Sequence, residues 1–389
     1  MKIEPSLWGL LRAAGALLAV LSMVSACAAP PRLAYTAAEQ LAATPPGFTD
    51  VRIEASEQEG AERLMTFFQR DRVIRDRPLE VLAISGGGAT GAFGAGVLVG
   101  WSQSGNRPDF DVVTGISTGA LAAPFAFLGP VNDAKLKAGY TDGQASNMLD
   151  FCGLLALFSD SLFSGRPLED LVARLIDDTV VAAVAREHKP GRRLLVGTTN
   201  LDTQSLTLWN MGALASVCGP LATKLFRDVI IASASIPGVF PPKMIEVESG
   251  GRRFFEMHVD GSGISSFFAV PEPLLLWTDE KNAMRRTKLH ILVNGALDKQ
   301  FAVTPNETIS ILRRSVDAAG KTNTRTELVA VGAFAERNNV DLRISHVPSG
   351  VNPSPLNFDQ AHMSELFEQG RQLGASGQAW RALDEDTPQ

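Results

Sequence analysis

Val81-Leu82-Ala83-Ile84-Ser85-Gly86-Gly87-Gly88-Ala89-Thr90-Gly91 is the stretch on which the fold turns. Four apolar residues stop at a run of turn formers, the pattern of a buried strand emptying into a glycine loop. The small-residue segment from Gly91 to Ser102 predicts a helix. Phe110 to Thr114 predicts a second short buried strand, and Ala120 to Leu128 a second apolar helix. Buried strands alternating with helices predict an α/β fold in three α/β/α layers, with a mostly parallel central sheet covered on both faces. Further strands are expected over Arg193 to Gly197, Ser205 to Trp209, Phe254 to Val259, Leu289 to Val293 and Leu342 to Val347. Helices are expected over Pro167 to Asp177, Leu221 to Ala232, Thr308 to Ala319, Arg325 to Asn338 and Phe358 to Leu373.

Three motifs in this frame carry chemistry. Gly115-Ile116-Ser117-Thr118-Gly119 lies between a strand and an apolar helix, the arrangement of a nucleophile elbow; flanking glycines remove the Cβ atoms that would clash at such a turn. The Ser85 to Gly91 loop can converge backbone N–H groups on a small anion, as an oxyanion hole requires. The same loop also satisfies G-x-G-x-x-G at Gly86, Gly88 and Gly91, which makes a dinucleotide site its rival. Against that rival, the second strand ends in Thr114-Gly115-Ile116-Ser117 with no acidic residue for a ribose. Third, Asp260-Gly261-Ser262-Gly263 follows a strand, and parallel strands deliver their C-terminal ends to one edge, where Asp260 could reach Ser117.

These blocks occur, together with Ala232-Ser233-Ala234-Ser235-Ile236-Pro237-Gly238-Val239-Phe240-Pro241-Pro242, in the order found in patatin-like phospholipases, and the chain resembles that family from Leu79 to Gly263 by motif. The resemblance implies a serine acyl hydrolase of the phospholipase A or lysophospholipase kind, acting on a lipid ester. It makes Ser117 the nucleophile, Asp260 its base in a Ser-Asp dyad, and Gly86, Gly87 and Gly88 the oxyanion loop. Thr90 stands where the family usually carries Lys or Arg, and Ser262 where it carries Gly or Ala. The alternative is a silent lipoprotein that keeps the fold to bind lipid or protein. The Ala232 to Pro242 block has a packing explanation, with small residues followed by a Pro-Pro exit, and receives no catalytic role. His258, two residues before Asp260 on one strand face, is the residue that could turn the dyad into a triad.

The five histidines, His188, His258, His290, His346 and His362, are scattered and no C-x-x-C is present, so neither metal nor cofactor is expected. A net charge of −6 without a basic block argues against nucleic acid. Lys2 and Arg12 followed by an apolar stretch to Ala26 read as an export signal, too short to span a bilayer, which takes about 20 apolar residues. Val24-Ser25-Ala26-Cys27 resembles a bacterial lipobox. This implies a signal over residues 1–26 and a lipid on Cys27 that holds the mature chain at a membrane, the outer membrane in a Gram-negative host.

An extended Ala, Pro and Thr tether with a short helix from Glu57 to Gln69 is expected within 27–78, the catalytic domain over 79–375, and an acidic tail over 376–389. The apolar run Met148 to Phe163 is either a buried helix or a cap. Cys152 and Cys218 are either bridged or buried as thiols.

Overall fold

The computed structural model describes residues 32–55, 58, 60–64, 77–149, 161–279, 284, 286–351 and 354–383. In chain order the strands are β1 (Arg52–Glu54), β2 (Leu79–Ile84), β3 (Val112–Ile116), β4 (Arg193–Asn200), β5 (Ser205–Asn210), β6 (Lys243–Ser249), β7 (Arg252–Asp260), β8 (Thr287–Val293) and β9 (Asp341–His346). The helices are α1 (Ala37–Leu41), α2 (Gly91–Gln103), α3 (Thr118–Leu128), α4 (Asp133–Thr141), α5 (Arg166–Leu175), α6 (Asp178–His188), α7 (Met211–Ser216), α8 (Pro220–Ala234), α9 (Thr308–Arg337) and α10 (Gln360–Ala375).

The strands form one sheet, ordered β1-β5-β4-β3-β2-β8-β9, in which β4, β3, β2, β8 and β9 run parallel. Strands β5 and β1 extend it antiparallel beyond β4. The period of two along β2 divides the core: Leu82 and Ile84 pack under the helices that include α2, α3, α8 and α10, whereas Val81 and Ala83 pack with Leu328, Val331 and Phe334 of α9. A strand buried on both faces is what a three-layer fold demands. Helix α2 owes its small residues to α10. A Cβ on Gly96 or Gly100 would overlap the carbonyl oxygens of Phe367 or Arg371, and one on Gly370 or Gly374 those of Phe93 or Val97.

Several expectations shift. Strand β3 begins two residues later than expected and runs through Gly115-Ile116, so Ser117 is the first residue beyond it. The two helices expected at 308–319 and 325–338 are one continuous α9, because Gly320 costs a helix only about 1 kcal/mol and has open space around it. The hairpin of β6 and β7, turning at Gly250-Gly251 with φ of 55° and 78°, had only its second strand anticipated. Helices α4, α6 and α7 and strand β1 were not anticipated.

The stretch expected as a free tether is docked from Arg32 onward. Arg32 pairs with Asp202, Tyr35 stacks on Phe254 at 4.3 Å, Thr44 pairs with Glu248, and β1 joins the sheet. Residues 60–64 are helical, within the helix expected there. Part of the expected tail is docked too: Trp380 packs on Trp101 and His290, with centroids at 4.7 and 4.9 Å, and Arg381 pairs with Ile344. The export signal, Cys27, Cys152, residues 150–160 of the apolar run and the end of the tail, 384–389, lie outside the described residues. Cys218 is exposed and free. Among the described residues no helix is long and apolar enough to cross a membrane.

Candidate active site

Strand β4 outruns β3. Ile116, the last residue of β3, lies opposite Gly197, and the next three positions of β4 are taken by β7, with Asp260 opposite Thr198. The two strands therefore meet end to end along β4. Ser117 and Asp260 are brought together by a different route from the one expected: β7 is antiparallel to β4 and arrives head-on, rather than sharing an edge as a parallel neighbour.

Ser117 occupies a backbone conformation of φ 57° and ψ −124°, a left-handed region costing a non-glycine residue about 1–3 kcal/mol. Its flanking glycines have steric reasons. A Cβ on Gly115 would overlap the Gly119 carbonyl oxygen, and one on Gly119 the Ile84 carbonyl oxygen at the end of β2. Helix α3 starts at Thr118 and directs its N-terminal amides toward the elbow. The N–H of Ser117 donates to the Oγ of Ser233 (2.9 Å), and that hydroxyl donates to the Gly197 carbonyl (2.7 Å).

Asp260 is buried, and its N–H donates to the Ser235 carbonyl (2.9 Å). Its carboxylate accepts the Ser262 N–H at 2.8 Å, and the hydroxyls of Ser117 and Ser262 lie close enough to it to favour its charged form. Burial pushes the carboxyl from 3.8 up to about 6, against these groups, which pull it down. A carboxylate so raised, beside a serine hydroxyl, can take that hydroxyl's proton.

The glycine loop lies half-open to solvent beside the elbow, and a Cβ on Gly86 would come within 3.2 Å of the Ser117 Cβ. Gly87 and Gly88 have φ of 152° and 55°. Within the loop the three glycines are not equivalent. The Gly86 N–H donates to the Ser266 carbonyl (3.0 Å), whereas among the described residues no acceptor engages the N–H of Gly87 or Gly88. The donors open to an oxyanion are thus Gly87 and Gly88, and Gly86 drops out as an amide donor. Asn294 and the Pro355 carbonyl pack where a Cβ on Gly87 or Gly88 would stand, so close protein packing accounts for both glycines without a pyrophosphate. Thr90 is fully buried and brings no charge to the loop.

His258 does not complete a triad. It is fully buried, with Nδ1 on Thr198 Oγ1 (2.9 Å) and Nε2 on Glu256 Oε2 (3.2 Å), and Glu256 is paired with Arg52 of β1. Both ring nitrogens are committed to groups other than Asp260.

Three supporting residues were missed by sequence reasoning. Ser233 and Ser235 lie in the block read there as packing alone. Glu327 of α9 accepts the Ser266 N–H with both oxygens (3.1 and 3.0 Å), holding the segment whose Ser266 carbonyl binds Gly86. Burial pushes its carboxyl up to about 7, against hydrogen bonds from Ser266, Phe267, Ser265 and Asn323. Among the described residues no group of His, Cys, Asp and Glu could hold a metal ion.

The family model for patatin-like phospholipase matches residues 82–273, an interval that contains the glycine loop, the elbow, Ser233 and Asp260. The chain carries a patatin-like phospholipase domain. Hydrolysis of lipid esters is the general chemistry of that family. Beyond residue 273 the sheet around the patatin-like domain is completed by β8 and β9, with α9 and α10 packed on its two faces. Among solved structures, that of VipD from Legionella pneumophila is similar, at 12% identity over 78% of this chain and 68% of that chain, with a TM-score of 0.37. No curated protein matches the chain.

Proposed function

We propose that this protein is a serine acyl hydrolase that cleaves carboxylic ester bonds of lipids through a dyad of Ser117 and Asp260, a phospholipase A or lysophospholipase. The observation that carries the reading is the Ser117 hydroxyl set beside a buried Asp260 carboxylate, close enough to lower its pKa, at the point where β3 and β7 meet. Asp260 takes the hydroxyl proton as Ser117 Oγ attacks the acyl carbonyl, and the Gly87 and Gly88 N–H groups hold the oxyanion. Collapse expels the alcohol, which recovers the proton from Asp260. Water, deprotonated by the same carboxylate, then releases the fatty acid and restores Ser117. Incubating a mixed-lipid extract with wild type and Ser117→Ala, and comparing products by mass spectrometry, tests this. Free fatty acid with matching lysolipid or glycerol product should form with wild type alone; equal release by both proteins contradicts the reading.

The N-terminal pattern supports export and a lipid on Cys27, with the protein held at a membrane surface, the outer membrane in a Gram-negative host. Acyl chains contribute about 0.8 kcal/mol per buried CH₂. Cys27→Ser should therefore move the protein from the membrane fraction to the soluble or unprocessed one. An unchanged distribution, with an unchanged mass at the mature N-terminus, contradicts lipidation.

A further inference from the structure

The nucleophile's own backbone needs a partner that strand pairing does not supply. Ser117 lies one residue past β3 and at the start of α3, where the first N–H groups of a helix have no intrahelical acceptor. Its N–H is taken by the Ser233 hydroxyl at 2.9 Å, which in turn donates to the Gly197 carbonyl at 2.7 Å. Ser233 is fully buried. Gly197 faces Ile116 and directly precedes Thr198, the partner of Asp260. Two residues after Ser233, the Ser235 carbonyl accepts the Asp260 N–H at 2.9 Å. The C-terminal end of α8 thus touches the backbone of both residues, and the Ser233 hydroxyl sits at the junction of β3, β4 and β7.

The hydroxyl acts here by direction. With its one proton committed to Gly197, its lone pairs are left for the Ser117 N–H. An apolar side chain at 233 would leave a buried donor and a buried acceptor unpaired, beside an elbow already held in a strained conformation. Displacing a reacting oxygen by about 1 Å costs about 100-fold in rate.

We propose that Ser233 is a positioning residue for ester cleavage: its hydroxyl pins the Ser117 backbone to β4 and so sets where the Ser117 Oγ stands relative to Asp260 and to the Gly87 and Gly88 amides. This rests on Ser117 being the nucleophile.

The test compares wild type, Ser233→Ala and Ser233→Cys on a short-chain p-nitrophenyl ester and with a fluorophosphonate probe. Thr207→Ala, which removes a buried hydroxyl of β5 bonded to Glu54, across β4 from Ser117 and Asp260, is the stability control. In Ser233→Ala, kcat should fall about 10- to 100-fold with KM within about twofold, and the rate of probe labelling should fall in parallel. A thiol keeps the shape with a slightly larger atom but is a weak donor and acceptor, so Ser233→Cys should fold and be slowed similarly; it decides the matter if the alanine variant does not fold. Thr207→Ala should melt lower but keep kcat. Folded Ser233 variants with kcat and labelling rate within about twofold of wild type overturn the proposal, whatever their melting temperature. A wild-type adduct on a residue other than Ser117 overturns the nucleophile reading itself, and the proposal with it.

Discussion

Replacing Asp260 by Asn should suppress the proposed ester hydrolysis and stabilise the fold. Asn has the same shape and retains an oxygen to accept the Ser262 N–H, which now bonds the carboxylate at 2.8 Å. The difference is charge. Burial moves the carboxyl from 3.8 to about 6, so the folded state disfavours its ionised form by about 3 kcal/mol. For a carboxyl raised in this way the cost is absent below the unfolded value near 3.8 and fully present above about 6; wild type therefore loses stability as pH rises through that window, and the neutral variant does not. The Asp260→Asn protein should be more stable than wild type by about 3 kcal/mol at pH 8, by about 1.5 kcal/mol at pH 5 and by little near pH 4. Urea unfolding followed by tryptophan fluorescence at each pH reads this difference, while ester hydrolysis should drop by about 10² to 10⁴, the usual contribution of a general base. A stability difference that stays constant from pH 5 to pH 8, or a variant less stable than wild type at pH 8, refutes a buried, ionised Asp260.

Ser117→Gly should abolish hydrolysis yet raise stability by about 1 kcal/mol in thermal or urea unfolding, because glycine adopts the φ 57° backbone without strain; a destabilised variant would argue against strain at the elbow. The same Asp260 carboxyl, with its value of about 6, places the acid limb of the activity profile near pH 6, where activity falls as the base is protonated. That lies close to the ordinary histidine range of about 6.5, so the limb alone does not tell a dyad from a triad. His258→Ala does. It should lower the melting temperature, since it strips partners from Thr198 and Glu256 in a buried network, while kcat of the folded protein stays within about tenfold of wild type. A folded but inactive His258→Ala protein would make the site a Ser-His-Asp triad.

The part of this architecture that is local was legible in the sequence. The β2 run, the glycine loop and the elbow each announce themselves in a few residues, because a buried parallel strand must be apolar throughout and a strand-to-helix turn must be glycine-rich. What depends on relative strand length was not. Nothing in Phe254 to Asp260 says that β4 outlasts β3 by three residues, and that overhang is what gives β7 a place to pair and brings Asp260 to Ser117. The β6 strand hid behind Pro241-Pro242 and a half-exposed pattern of charges, although Gly250-Gly251 marked its hairpin. Ser233 did leave a trace: a serine amid Val229, Ile230, Ile231 and Ala232 on a buried helix must find hydrogen-bond partners. Which partners those were depended on tertiary contacts, as did the loss of the Gly86 amide to the Ser266 carbonyl.

The central claim, that Ser117 is the acyl acceptor and Asp260 its base, is tested most directly by the site and rate of a covalent adduct. Wild type and Asp260→Asn are treated with a fluorophosphonate and digested, and the modified peptide is sequenced by mass spectrometry. One adduct, on Ser117, should form in wild type and form about 10² to 10⁴ more slowly in Asp260→Asn. An adduct on any other serine, or equal rates in the two proteins, would contradict it.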